Sequence, residues 1–139
     1  MDRELVAQKL ESLRRCVRRL EERCPESPRE LAQDADAQDI VSLNLSRAIQ
    51  LCVDMGAHWL SEHEEQDVPA TMGEVFTELN HASIIDEQLA GNLRRAVGFR
   101  NLVVHNYEKI DWEIVYTLCT ERLEDFRRFA EVLDAFLAL

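Results

Sequence analysis

Apolar side chains recur every three or four residues along most of the chain, as they do on the buried face of an amphipathic helix. The spacing predicts five helical segments, which run over residues 2–24, 28–60, 71–81, 86–105 and 111–136. Gly and Pro are scarce, with four and three copies, while the abundant Leu, Ala, Glu and Arg favour helix over strand. The predicted fold is therefore an all-α bundle of about five helices, in a single domain that covers residues 1–139.

Polar side chains that can cap a helix stand before most of these segments. Ser27 and Thr71 each precede a Glu by three residues, which is the spacing of a capping box. Asp86 and Asp111 stand before the last two segments, and an acidic patch that begins at Asp34 indicates a fresh start inside the second. These positions predict where the helices begin.

Three further residues mark features of the backbone. Pro25 is expected to end the first helix, because proline cannot continue the hydrogen-bond pattern. Asn106 is expected to end the fourth, since Asn tolerates the left-handed conformation just past a helix. Gly56 lies inside a helical segment and predicts close approach of a second helix. The Glu-rich residues 61–70 are expected to form a solvated connection.

The cysteines and most histidines do not predict a metal or cofactor. The four cysteines are Cys16, Cys24, Cys52 and Cys119, without a Cys-x-x-Cys pair or a nearby His at zinc-ligand spacing. We expect them to be small apolar residues in a reducing compartment. Surface or capping positions are expected for His58, His63 and His81. No apolar run approaches the roughly 18 residues of a membrane span and no signal-peptide core follows Met1, so the expected location is the cytoplasm.

The charge of the chain is negative and uneven. Its net charge is −11, and residues 25–90 hold fourteen acidic against two basic side chains. This balance excludes a protein that coats nucleic acid, but it leaves room for a local basic cleft. The first helix carries a row of basic side chains on its polar side, namely Arg14, Arg15, Arg18 and Arg19. This row is either a solvated face with ion pairs or a basic wall for RNA or an acidic partner.

The segment from Arg100 to Tyr107 combines a guanidinium, an imidazole and a phenol within eight residues. An arginine can hold a phosphate and offset charge that develops on it. A histidine such as His105 can accept and return a proton near neutral pH. These groups supply much of the chemistry of a metal-free ribonuclease, although the spacing alone is a weak motif.

Helix geometry separates the two candidate catalytic groups. Five residues of a regular helix turn the side chain by about 140°, so Arg100 and His105 do not share a face. Either the turn at Asn106 swings His105 inward, or a second copy of the chain completes the site.

Residues 44–111 resemble the HepT-type toxins of the HEPN superfamily. The resemblance rests on Leu43–Leu45, Arg47–Asp54, Pro69–Phe76 and Val97–Asp111, and the flanking helices fit in pattern. It implies an α-helical homodimer that acts on RNA as a metal-independent endoribonuclease with no cofactor. Within the family's motif, Arg100 and His105 take the catalytic positions and Asn101 a supporting one.

The resemblance also implies a place in a type VII-like toxin–antitoxin system. There the antitoxin is a minimal nucleotidyltransferase, and the acceptor of its adenylyl group is Tyr107 of the motif. An attached AMP would add bulk and negative charge beside Arg100 and His105 and keep out an RNA phosphate. Two other functions remain open from the sequence: a non-catalytic HEPN-like module that binds a nucleotide or docks a nucleotidyltransferase, and a plain helical dimerisation domain.

Overall fold

The structure is a computed structural model that describes residues 2–63, 65 and 67–138. These residues form seven α-helices and no strand, so the predicted all-α class is confirmed. The helices are α1 (Arg3–Arg23), α2 (Pro28–Gln33), α3 (Ala35–Ser61), α4 (Met72–His81), α5 (Glu87–His105), α6 (Trp112–Glu121) and α7 (Leu123–Leu137). A 3₁₀ turn, Tyr107–Lys109, joins α5 to α6. None of the helices in the described part of the chain is long and apolar enough to cross a membrane.

The predicted caps begin the helices. The hydroxyls of Ser27 and Thr71 accept backbone N–H groups three residues on, at 3.1 and 3.2 Å. The carboxylate of Asp86 accepts the N–H three residues on in α5 at 2.7 Å, and that of Asp111 accepts the N–H two residues on in α6 at 3.0 Å. Asp34 caps α3 at 3.0 Å, which confirms the fresh start inside the second predicted segment. Each cap satisfies a donor that the first turn of a helix cannot satisfy internally.

The helix ends differ from the predictions in two places. The last predicted helix is divided at Arg122 into α6 and α7. The backbone of Arg122 (φ −116°, ψ 3°) is not helical, so α6 ends before it and α7 begins after it. The fourth helix ends at His105 as predicted, but the left-handed conformation expected at Asn106 is wrong, because its φ is −157°. The backbone N–H of Asn106 still donates a helical hydrogen bond to the Leu102 carbonyl at 2.8 Å. Within the predicted connection 61–70, residues 64 and 66 lie outside the described part.

Helix α3 forms the centre of the bundle. It packs along α1 on one side and against α4 and α5 on the other, while α7 returns to α1 and α6 covers α2. The largest fully buried side chains are Phe76 of α4 and Phe129 of α7, whose rings meet edge to face with centroids 6.0 Å apart. All four cysteines are free and three are buried, in agreement with their predicted role as apolar residues.

Gly56 lies where α3 meets α4, and it permits the predicted close approach. A Cβ atom added there would lie 2.7 Å from Cγ1 of Val75 and 2.9 Å from Cδ1 of Leu79, both of which are buried. Inside a helix, alanine is favoured over glycine by about 1 kcal/mol. Forcing an extra methyl group into a packed core costs about 1–3 kcal/mol. We expect Gly56→Ala to lower the free energy of unfolding by about 1 kcal/mol in urea titrations.

Gly98 of α5 provides the matched control for that substitution. It is exposed, and a Cβ added to it would meet no atom within 4 Å. Gly98→Ala should therefore raise the free energy of unfolding by up to about 1 kcal/mol. Equal stabilisation by both substitutions would contradict the close packing of α3 against α4.

Candidate active site at the end of helix α5

Arg100 lies near the carboxyl end of α5 with its side chain half-buried. Its Nε atom is fully buried and has no hydrogen-bond partner among the described residues, and no carboxylate there forms an ion pair with it. By contrast, Arg94 of the same helix bonds to Glu87 at 2.6 Å. Buried polar groups are normally satisfied. An unpaired guanidinium in a chain of net charge −11 is therefore available to an anion from outside the chain.

His105 is the last residue of α5 and is exposed. Because the helix is continuous through His105, the turn at Asn106 comes too late to bring it towards Arg100. The two side chains consequently project about 140° apart from one helix. Of the two arrangements that the sequence left open, this geometry favours completion of the site by a second copy over a swing of His105 within one chain.

Asn101 is also exposed, and its side chain makes no hydrogen bond with the described residues. It stands four residues before His105, so the two occupy neighbouring positions on one face of α5. Asn101 thus lies on the histidine side of the helix and away from Arg100.

Tyr107 opens the 3₁₀ turn after α5 and is half-buried. Its phenol donates a hydrogen bond of 2.8 Å to Oδ1 of Asp39 in α3. Its ring meets that of Trp112 edge to face, with centroids 5.9 Å apart. Burial raises the pKa of the phenol, the bond to Asp39 raises it further, and the Ser42 hydroxyl opposes the rise. The phenol is therefore protonated at neutral pH and held by α3.

Two of these neighbours have no signal in the sequence as site residues. Asp39 stands 68 positions before Tyr107, and its sequence context indicates only an acidic helix start. Ser42, one turn later on α3, has a buried hydroxyl without a hydrogen bond of normal geometry to the described residues. The packing of α3 against the turn after α5 brings them to the phenol.

The other three histidines contact neighbouring residues outside the candidate site. The ring of His63 stacks on Trp59 with centroids 3.5 Å apart, and His81 lies 3.4 Å from Glu78. The ring of His58 accepts a backbone N–H at 3.1 Å. Across the described residues, no group of three or more His, Cys, Asp or Glu side chains is arranged to hold a metal ion.

The fold and the site together define a helical-bundle protein with an unpaired arginine, an exposed histidine and a hydrogen-bonded phenol at the end of one helix. Residues 13–133 match the family described as "Ribonuclease HepT-like". The chain belongs to this family, which confirms the predicted fold family and ribonuclease activity. The non-catalytic binding module and the plain dimerisation domain are therefore set aside as alternatives.

The relatives agree in length and in fold. The "mRNA nuclease HepT" of Shewanella oneidensis is 30% identical over 132 residues, which cover 95% of this chain and 98% of that protein. A crystal structure described as a toxin–antitoxin with AMP-PNP superposes with a TM-score of 0.87 at 30% identity, covering 95% and 98% of the two chains. The tri-AMPylated HEPN toxin of Shewanella oneidensis, in complex with MNT antitoxin, has a TM-score of 0.86 at 30% identity, with 97% and 98% covered.

Proposed function

We propose that this chain is the toxin of a type VII-like toxin–antitoxin system and cleaves cytoplasmic RNA with Arg100 and His105, without a metal ion. One observation carries the assignment of the catalytic pair: Arg100 is half-buried and unpaired within the described part of a strongly acidic chain. A guanidinium in that state is prepared for a phosphate, since it has no internal carboxylate to displace. The relative named as an mRNA nuclease supports RNA as the substrate.

The chemistry follows from the two side chains. The ribose 2′-OH attacks the adjacent phosphorus, forming the O2′–P bond while the P–O5′ bond breaks. His105 assists the transfer of the proton from the 2′-OH and its delivery to the leaving 5′ oxygen. Arg100 stabilises the additional negative charge on the pentavalent phosphate. The products are a 2′,3′-cyclic phosphate and a 5′-hydroxyl.

A homodimer brings these groups together. Arg100 and His105 project from different faces of one continuous helix, which supports a site in which Arg100 of one copy works with His105 of the other. The region also keeps large apolar side chains in solvent: Leu102 is 37% exposed, Val104 53% and Ile114 of α6 58%. Covering them in a symmetric pair removes that apolar area from water.

A cavity beside these residues fits the same arrangement. It has a volume of about 330 Å³ and an apolar floor that includes Phe99 and Leu118. Its rim holds basic Arg95 and Lys109 as well as acidic Asp111. A rim with both charges is self-complementary, as an interface between two identical copies requires.

Tyr107 is the proposed site of regulation. The toxin that superposes on this chain is tri-AMPylated and bound to an MNT antitoxin. By analogy, a minimal nucleotidyltransferase would join an AMP phosphorus to the Tyr107 oxygen and release pyrophosphate from ATP. The Tyr107 hydroxyl donates a hydrogen bond of 2.8 Å to Asp39, which orients the phenolic oxygen. The added phosphate would then occupy the anion site at Arg100.

Expression of the chain alone and together with a nucleotidyltransferase of this type tests the proposal. We expect growth arrest from the chain alone, relief on co-expression, and RNA cleavage that persists in EDTA. Intact-mass and peptide analysis should then find one or more AMP units on Tyr107. Tyr116, the other tyrosine, is the internal control, since its hydroxyl is engaged by the Glu26 carbonyl at 2.8 Å. Harmless expression and no cleavage of cellular RNA would reject the function.

A further inference from the structure

The basic row of α1 divides into two pairs with different surroundings. Arg14 forms an ion pair of 3.4 Å with Asp134 of α7. Arg18 forms one of 3.5 Å with Glu11 of α1 itself. Arg15 and Arg19 form no ion pair with any residue that the structure describes. All four residues are arginines of one helix, so the presence or absence of an ion pair depends on the residues that surround each of them.

Arg15 and Arg19 line an open groove between α1 and α3, and Arg47 of α3 lines it from the opposite side. The groove, called here the arginine groove, has a volume of about 360 Å³. Arg47 likewise makes no ion pair within the described residues. Three unpaired guanidinium groups therefore border one cavity.

The thiol of Cys16 belongs to the same lining and lies near two of these charges. Burial raises the pKa of Cys16, while the positive charges of Arg47 and Arg15 both act to lower it. One arginine comes from α3 and the other from α1, so their fields overlap at the floor of the groove. An anion placed there would interact with both helices at once.

The one acidic side chain in the lining does not neutralise the arginines. Asp54 is 3.5 Å from the ammonium of Lys9 and accepts a hydrogen bond of 2.8 Å from Gln50. Its charge is thus offset by Lys9, and the arginines keep theirs. In a chain whose net charge is −11, such a surface selects anionic ligands locally.

The position of the groove relates it to the proposed catalytic site. Arg47 stands eight residues beyond Asp39 on α3, which corresponds to about 12 Å along the helix. Between them, on the same face, Leu43 is 47% exposed and leaves the surface open. An extended polymer with regularly spaced phosphates can reach from Tyr107 to the groove along this face. An arginine fork binds a phosphate bidentately, and the proposed RNA substrate supplies such phosphates at regular spacing, so RNA is the ligand that we assign to the groove.

We propose that the arginine groove binds the phosphodiester backbone of the RNA substrate away from the bond that is cleaved. This inference rests on the proposed ribonuclease function and adds a second contact region to it. It assigns different roles to neighbouring arginines of one helix: Arg15 and Arg19 contact RNA, whereas Arg14 and Arg18 form ion pairs within the protein.

Binding of a fluorescein-labelled, 2′-O-methylated oligouridylate of about 15 nucleotides tests this division, because it cannot undergo attack by a 2′-OH. The double variant Arg15→Gln/Arg19→Gln is compared with Arg14→Gln/Arg18→Gln, which loses the same charge from the same helix. Each lost contact to a single strand should lower the salt slope by about 0.7. For the groove variant this predicts a slope lower by about 1.4 and a Kd about 25-fold higher in 0.1 M salt. The control should stay within about threefold of wild type.

Kinetics with substrates of two lengths separate this inference from the function on which it rests. The groove variant should cleave a dinucleotide as wild type does, while its KM for a long RNA rises and kcat is retained. If wild type cleaves RNA but both double variants bind the oligonucleotide alike, the groove is not an RNA site. Normal RNA binding by the groove variant, together with loss of its complex with the nucleotidyltransferase, would assign the groove to that protein instead. If wild type cleaves no RNA, the proposed function itself fails.

Discussion

Replacing Arg100 with alanine is expected to lower kcat/KM for RNA cleavage by about 10³-fold. The expected loss corresponds to about 4 kcal/mol of transition-state stabilisation. The guanidinium is half-buried and free of internal carboxylates among the described residues, so its charge acts on the phosphate with little competition. The measurement is the initial rate of cleavage of a fluorogenic oligoribonucleotide in EDTA, with subsaturating substrate and purified protein.

Two matched variants distinguish chemistry from folding. Arg94 lies on the same helix, is also half-buried, and is paired with Glu87 at 2.6 Å. Arg94→Ala should change kcat/KM by less than about threefold, since it removes an ion pair away from the site. Arg100→Lys keeps the charge but not the planar fork, and we expect its rate to remain about 10²-fold below wild type. An Arg100→Ala protein that cleaves as fast as Arg94→Ala would remove Arg100 from the catalytic site.

Local chemistry explains why the helix starts could be predicted from the sequence. A capping side chain such as Ser27 or Thr71 binds an N–H group only three residues away, so its effect does not depend on the rest of the fold. The same holds for Gly56, whose lack of a side chain inside a strongly helical segment indicates a close neighbour before that neighbour is known.

The break at Arg122 could not be predicted in this way. Neither Gly nor Pro stands near it, and the residues on both sides favour helix. Packing determines it: the Tyr116 hydroxyl of α6 donates to the Glu26 carbonyl at 2.8 Å, whereas Arg127 of α7 bonds to Glu21 of α1 at 2.7 Å. The two helices are fixed to different parts of the bundle, and one straight helix cannot satisfy both contacts.

The candidate site was predictable in part for a related reason. Arg100, His105 and Tyr107 are close in sequence, and their angular relation follows from the pitch of a helix. The contact of Tyr107 with Asp39 spans 68 residues and depends on how α3 lies against the turn after α5. The division of α1's basic row into paired and unpaired arginines also depends on tertiary packing. Periodicity locates such side chains on a helix but does not identify their partners.

Mixed dimers should recover activity from two inactive proteins if the catalytic pair forms between chains. In a dimer of one Arg100→Ala chain and one His105→Ala chain, one of the two composite sites has both residues intact. We therefore expect about half of the wild-type kcat after purification through two different tags. In a dimer of wild type with the double variant Arg100→Ala/His105→Ala, each composite site lacks one residue. This second dimer should be inactive, although it carries the same two substitutions.

The two mixed dimers distinguish a site between chains from a site within one chain, because the two arrangements predict opposite activities for each dimer. Arg100 and His105 of the same chain would leave the first dimer inactive and give the second about half of the wild-type kcat. Equal activity in both would indicate one shared cleft and would contradict strict pairing across the interface. Because α5 is continuous through His105 and separates the two side chains by about 140°, we expect activity in the first dimer alone.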